Sequence, residues 1–271
     1  MNKIGLIAGV GRLPVDFTRA ACGMGFAVIA AGVVSGVDPE LEKECSEYHT
    51  IIAGELDKLI EVFKKSGVKQ ITMLGKVTKE LLFAGKDSQP IKIDARMQKL
   101  LAGLKDNSDD TIMLAIVKEF ALEGIGVLDQ TEFIKRLLPQ PGVLTKRHPT
   151  DEEIKDIEFG FKVAREIGRL DIGQTVVVKN RAIIAVEAIE GTDECIRRGG
   201  ALALAGTTVA KTAKPQQDFR FDMPGIGPDT LTVMIEAKAS CLAIEAGRTL
   251  LIDRNKVIEM ANKHDIAIIV V

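Results

Sequence analysis

Ile4-Gly5-Leu6-Ile7-Ala8-Gly9-Val10-Gly11-Arg12-Leu13-Pro14 runs from an apolar strand through a glycine-bearing turn into a helix start. Lys3–Ala8 reads as the strand and Leu13–Met24 as an amphipathic helix, with Pro14 suited to its first turn because the missing N–H would be unpaired there. Bare amides at such a junction, next to a helix N-terminus, favour anions. Gly9, Gly11, Arg12 and Leu13 are therefore candidate contacts for a phosphate or nucleotide, with a tight turn that binds nothing as the competing reading. The run is not G-x-G-x-x-G, and Val33-Val34-Ser35-Gly36 stands where a ribose-holding acid would end the second strand. A nicotinamide dinucleotide, and an oxidoreductase built on it, are disfavoured. Gly75-Lys76 likewise lacks the upstream glycine and Ser/Thr context of a Walker loop.

Outward from this turn the first half alternates strand and helix. Phe26–Val34 is almost uninterruptedly apolar, the pattern of a strand buried on both faces of a parallel sheet. Leu56–Ser66 reads as helix, Gln70–Leu74 as strand, Asp110–Glu123 as a helix capped by Asn107 or Ser108, and Ile125–Leu128 closes the set. This βαβ rhythm predicts a Rossmann-like, doubly wound parallel-sheet domain over residues 1–132. Leu137-Leu138-Pro139-Gln140-Pro141-Gly142-Val143-Leu144-Thr145 breaks the rhythm, so residues 133–148 are expected to be a linker. Beyond it, Asp151–Leu170 forms a long helix with Thr150 as N-cap, and Thr175–Val178 pairs with Ala182–Ala188 around Asn180-Arg181. A helix near Arg254–Lys263 and a strand at Ile266–Val271 end the chain. Residues 149–271 are thus expected to be an α+β, mixed-sheet domain, giving an α/β protein in two parts.

Bulk composition narrows the function. Of 271 residues, 46% are hydrophobic and 27% charged, the balance of a globular protein with a proper core. A net charge of -2 argues against a nucleic-acid binder. Cys22, Cys45, Cys195 and Cys241 form no CxxC pair and read as reduced thiols of a cytoplasmic protein. The N-terminus is too short and glycine-punctuated for a signal peptide, and no apolar run approaches the ~18 residues that span a bilayer. Any membrane contact is expected to be peripheral.

The chemistry concentrates in Gln217-Asp218-Phe219-Arg220-Phe221-Asp222-Met223-Pro224-Gly225-Ile226-Gly227-Pro228. If extended, period-2 alternation puts Asp218, Arg220 and Asp222 on one face and both phenylalanines on the other. A solvated loop with an Arg–Asp ion pair is the bland alternative. Lys211 and Lys214 lie just upstream, and cations beside acids suit phosphoryl chemistry. Asp171-Ile172-Gly173-Gln174 precedes the hairpin, Glu187 interrupts its apolar second strand, and Glu190-Gly191-Thr192-Asp193 places an acid at a helix start, where capping competes with binding. Asp109-Asp110 serves a helix N-terminus, and Thr145-Lys146-Arg147 is a basic knot, either solvated or directed at a phosphate. His49, His148 and His264 are too scattered for a zinc or His-rich dinuclear site. A divalent ion here should be hard and oxygen-ligated, with Mg²⁺ the natural choice. No G-x-S-x-G nucleophile elbow occurs.

In order, the segments Leu6–Pro14, Gly75-Lys76-Val77, Asp109-Asp110, Gly142–Thr145, Asp171–Gln174, Val186–Asp193, Lys214–Gly227 and Glu245-Ala246-Gly247 resemble one family along essentially the whole chain. It is the LpxI-type UDP-2,3-diacylglucosamine pyrophosphatase family of lipid A biosynthesis. The Glu-Gly-Thr-Asp and Asp-x-Arg-x-Asp-x-Pro motifs are the specific parts. The resemblance implies a Mg²⁺-dependent hydrolase that yields UMP and 2,3-diacylglucosamine 1-phosphate, forms a homodimer, and holds its lipid–nucleotide substrate between two domains. It places a catalytic aspartate in the motif that here contains Asp222 and Asp218, carried first to Asp222 because it directly precedes the Pro224–Pro228 turn. On this reading Asp222 and Asp218 also hold the metal, and Arg220 polarises phosphoryl oxygens. The expected substrate contacts are Gly9, Gly11, Arg12, Leu13, Lys76, Thr145, Gln174, Glu190, Thr192, Asp193, Lys211 and Lys214. Leu81-Leu82-Phe83-Ala84 is a candidate acyl-chain wall, with a core turn as its alternative. A non-catalytic carrier of a lipid-linked nucleotide is the remaining rival.

Overall fold

The computed structural model describes residues 2–77, 93–106 and 108–271, with Asp109 by its backbone; Leu81–Ala84 and Asn107 lie outside the described residues. The chain divides into two compact units. The first runs to Ile134 and also takes in Phe219–Phe221, while the second comprises Lys135–Asp218 and Asp222–Val271.

The first unit contains β1 (Asn2–Ala8), α1 (Leu13–Gly23), β2 (Phe26–Gly32), α2 (Glu40–Glu44), β3 (Glu47–Thr50), α3 (Leu56–Lys65), β4 (Gln70–Leu74), α4 (Ala95–Ala102), α5 (Asp109–Leu122) and β5 (Gly126–Val127). Its sheet has the order β3-β2-β1-β4-β5, with every pair parallel. Winding runs outward from β1 through β2 to β3, then returns to the other side of β1 as β4. The reversal leaves a switch point between β1 and β4, just beyond their C-terminal ends, as the alternating pattern predicts. β2 is buried from Ala27 to Gly32, which its unbroken apolar run requires. Helix α3 buries Leu56, Leu59, Ile60 and Phe63, spaced to make one face, and each such side chain contributes about 1.5–3 kcal/mol on leaving water. Pro14 lies in the first turn of α1, and Ser108 caps α5 by accepting from the Thr111 N–H.

The second unit contains β6 (Gly142–Val143), α6 (Asp151–Arg169), β7 (Thr175–Lys179), β8 (Ala182–Val186), α7 (Thr192–Ala203), β9 (Thr208–Lys211), β10 (Gly225–Ile226), α8 (Pro228–Glu236), β11 (Cys241–Ile244), β12 (Leu250–Leu251), α9 (Arg254–Lys263) and β13 (Ala267–Val270). Six strands form one sheet in the order β6-β13-β11-β9-β7-β8, and β10 pairs separately with β12. β13, β11 and β9 are mutually parallel, while β6, β7 and β8 run antiparallel to their neighbours, so the sheet is mixed as expected. Gly142–Val143, inside the expected linker, supplies an edge strand of this sheet.

Strand alternation divides its core. Val177, Val209, Leu242 and Ile268 pack with Ile196 of α7, Leu231 of α8 and Val257 of α9. Val176, Val178, Ala210, Cys241 and Ala267 face Ile157, Phe161 and Ala164 of α6. Thr150 and Glu153 form a reciprocal capping box at the start of α6. Asn180 and Arg181 take left-handed φ values of 52 and 59°, and the Asp156 carboxylate accepts from both their amides at 3.0 and 2.6 Å. The tight hairpin turn is thereby fixed from outside as well as from within.

Candidate functional site

Where β1 and β4 part, their following loops touch. The Val10 N–H donates to the Lys76 carbonyl at 2.9 Å and the Lys76 N–H to Val10 at 2.8 Å. A Cβ on Gly9 would lie 2.6 Å from the Lys76 carbonyl oxygen, and one on Gly75 (φ 92°) 2.7 Å from the Gly9 backbone. These glycines therefore have a packing reason of their own, independent of any ligand. Gly11, with φ 112°, has open space beside it, and Leu13 begins α1. Arg12 is held by Asp38 at 3.0 Å and by Glu40, which also pairs with Arg19. These partners, Glu40 foremost, raise the Arg12 pKa further above its usual value.

The stretch expected to be extended is a turn. The Asp222 N–H donates to the Asp218 carbonyl at 3.0 Å, and Phe219–Phe221 bend between them, so alternation does not put Asp218, Arg220 and Asp222 on one strand face. The physical reason lies in where the backbone groups are satisfied. One bond closes locally, the Gln130 N–H takes the Phe219 carbonyl at 2.8 Å, and Phe221 packs against the first unit's apolar cluster. Asp218, Arg220 and Asp222 are all half-buried.

The polar centre of the second unit forms at one end of its large sheet. Lys211 ends β9 opposite Thr175, the first residue of β7, and Glu187 follows directly on β8. Gly191 (φ 82°) turns the chain into α7, whose first residues are Thr192 and Asp193. Lys211 is only 5% exposed, and its Nζ donates to Thr192 Oγ1 at 2.8 Å. The Thr192 hydroxyl lies 2.9 Å from Glu187 Oε1, while Glu187 Oε2 accepts from the Gln174 N–H at 3.3 Å. Gln174 Oε1 is buried without a protein partner. Burial pushes the Lys211 pKa below the ordinary lysine value, and the charges of Glu187, Asp193 and Asp222 oppose that shift. Gln217 Nε2 donates to Asp222 Oδ2, and its Oε1 accepts from the Lys214 N–H at 2.7 Å. Lys214 Nζ binds Asp171 Oδ1 at 2.6 Å.

Glu187, Asp193, Asp222, Lys211, Thr192 and Gln174 are thus one electrostatic group, in which the charge of Asp222 acts on Lys211. Other expected contacts lie elsewhere. Thr145 donates to the Arg147 carbonyl and accepts from the Ile268 N–H, both at 2.9 Å, which ties it to β13. Arg147, in the basic knot, grips Glu153 with two bonds of 2.8 and 2.7 Å. Glu190 pairs with Arg198 on the outer side of the loop. Lys76 is exposed. Two residues were not expected in the site. Gln217 gives no sequence signal beyond proximity. Glu245 accepts from the Ala213 N–H at 3.0 Å and so steadies the chain just beyond Lys211.

Among the described residues, no three acid, cysteine or histidine side chains converge to form a metal cage. Mg²⁺ commonly takes one or two carboxylates and completes its shell with phosphate oxygens and water. The donor set fits a Mg²⁺ ion that arrives with a phosphorylated substrate.

Residues 3–137 match the LpxI N-terminal domain family, and residues 140–269 match the LpxI C-terminal domain family. The UDP-2,3-diacylglucosamine pyrophosphatase LpxI of Caulobacter vibrioides is 35% identical over 275 aligned positions, covering 97% of this chain and 95% of the relative. Among solved structures, a biotin carboxylase–β-γ-ATP complex from Campylobacter jejuni aligns at a TM-score of 0.28 and 11% identity, over 75% of this chain and 42% of that one. The N5-carboxyaminoimidazole ribonucleotide synthetase of Thermotoga maritima gives 0.24 and 18%, over 70% and 42%. This chain spans less than half the length of either, and alignments of that quality support no functional reading.

Proposed function

We propose that this chain, which belongs to the LpxI family, is a UDP-2,3-diacylglucosamine pyrophosphatase that releases UMP and 2,3-diacylglucosamine 1-phosphate in lipid A biosynthesis. The observation that carries this function is the likeness to the Caulobacter vibrioides enzyme along 97% of the chain. The polar centre beside β9 supports it chemically. Phosphoanhydride hydrolysis needs positioning and charge neutralisation more than covalent help. Water oxygen bonds to one phosphorus, the bridging P–O bond breaks, and the bridging oxygen leaves with its electron pair on the other phosphate. Asp222 orients that water and accepts its proton. Lys211, bonded to Thr192, offsets part of the charge of Asp222, and Lys214 offers a cation to the phosphoryl oxygens. Asp222 with Asp218 would hold Mg²⁺, which would supply Lewis-acid neutralisation of the diphosphate.

No helix among the described residues is long and apolar enough to cross a membrane. A cytoplasmic homodimer that meets its acylated substrate at the inner membrane surface completes the proposal; sedimentation velocity tests the dimer and vesicle co-sedimentation the surface contact. The decisive experiment for the function incubates purified protein with UDP-2,3-diacylglucosamine and follows UMP. We expect release with Mg²⁺ and its suppression by EDTA. Substrate bound but left intact under both conditions would make the protein a carrier instead.

A further inference from the structure

Glu187 has no role in the chemistry above, yet it is among the most constrained side chains of the second unit. It is 7% exposed. Its backbone is placed twice over. The Glu187 N–H donates to the Thr175 carbonyl at 2.9 Å, and Gly173 lies so close that a Cβ there would come within 2.2 Å of the Glu187 carbonyl oxygen. Its carboxylate is placed twice over as well, by the Gln174 N–H and by the Thr192 hydroxyl.

The hydrogen-bond inventory sets a direction through this group. A threonine hydroxyl has one proton and two lone pairs. Lys211 Nζ, 2.8 Å from Thr192 Oγ1, must be the donor to it, so the Thr192 proton is available to Glu187 Oε1 at 2.9 Å. The Thr175 hydroxyl, 3.3 Å from Thr192 Oγ1, fits the remaining lone pair. The relay therefore runs from ammonium to hydroxyl to carboxylate.

We propose that Glu187 is a positioning residue of the hydrolysis. Through Thr192 it aims the buried Lys211 ammonium, and its carboxylate faces that ammonium across a single hydroxyl. The inference rests on the pyrophosphatase reading given above. The carboxylates that act on Lys211 include Glu187 just after β8, Asp193 in α7, and Asp222 after the Phe219–Phe221 turn. Burial lowers the lysine's affinity for its proton and each carboxylate restores part of it. Neutralising Glu187 removes one of these influences, so the ammonium is lost at lower pH.

The test measures kcat and KM against pH for wild type, Glu187→Gln, Glu187→Asp and Thr192→Val, with Mg²⁺ present and melting temperature recorded. Glu187→Gln is expected to lower kcat by about 10–100-fold, the range seen when an orienting partner behind a reacting group is removed, with little change in KM. Its alkaline limb should move to lower pH. Glu187→Asp should return the limb to its wild-type position, and Thr192→Val should lower kcat without moving it. An unchanged limb and kcat in Glu187→Gln would overturn the inference, as would Gln and Asp variants equally impaired with wild-type limbs. If Glu187→Gln does not fold, the Asp and Val variants decide by the same criteria. Absence of UMP release by the wild type would instead refute the reaction and not the role of Glu187.

Discussion

Each unit gathers a cation and several carboxylates just beyond the C-terminal end of a parallel strand, and the two gatherings are built in opposite ways. After β1, Arg12 keeps 29% of its side chain exposed and shares Asp38 and Glu40 in a network that extends to Arg19 and Glu44. After β9, Lys211 is 5% exposed, reaches Glu187 through one hydroxyl, and feels the charges of Asp193 and Asp222 as well. Exposed ion pairs are screened and contribute little, whereas the same charges out of water act strongly on one another. An anion approaching Arg12 must compete with carboxylates already in place. The Lys211 group instead sets one buried ammonium under the influence of Glu187, Asp193 and Asp222. We therefore place the chemistry beside β9.

The largest expected contrast comes from removing each cation. Lys211→Met should lower kcat by about 10²–10³-fold, the scale of losing one preorganised electrostatic group, whereas Arg12→Met should leave kcat unchanged. Equal losses from both would erase the distinction. Next come the two close glycine contacts. Gly173→Ala and Gly9→Ala should each destabilise their unit by about 1–3 kcal/mol, read as a fall in melting temperature, because each adds a methyl group where backbone already lies. Only Gly173→Ala, which displaces Glu187, should also change the alkaline limb of activity.

Arg12→Gln should give a smaller fall in melting temperature, and molar salt should abolish it, since screening at that ionic strength reaches contact distance. Thiol titration at mildly alkaline pH gives the gentlest test. Burial pushes the Cys195 and Cys241 thiols up to about 12, so both should stay unreactive until denaturant is added. Half-buried Cys22 and Cys45 should react in the native protein.

Much of this architecture is legible in the residues because local and global preferences agree. The apolar run of β2, the Thr150–Glu153 box and the Asn180–Arg181 turn each name one element and its boundary. β3 escapes such reading: Glu47-Tyr48-His49-Thr50 is a polar edge strand whose existence depends on β2 beside it. Site residues are legible as types more than as partners. Glu187 stands out as an acid at the end of an apolar strand, and Lys211 as a cation before the motif. Their meeting through Thr192 depends on the Thr175–Lys211 register, which no local pattern encodes. Alternation misleads at Asp218–Asp222, because one backbone bond closes locally and the Phe219 carbonyl is taken by the Gln130 N–H, so no ladder is left for an extended strand.

The claim that the group beside β9 performs the hydrolysis is tested most directly at Asp222. Asp222→Asn keeps the side chain's shape and removes its charge. UMP release and binding of UDP-2,3-diacylglucosamine should be measured on the same Mg²⁺-containing sample. We predict that turnover falls by about 10²–10⁴-fold, the contribution of a positioned acid–base group, with binding retained. UMP release at the wild-type rate from that variant would contradict the account.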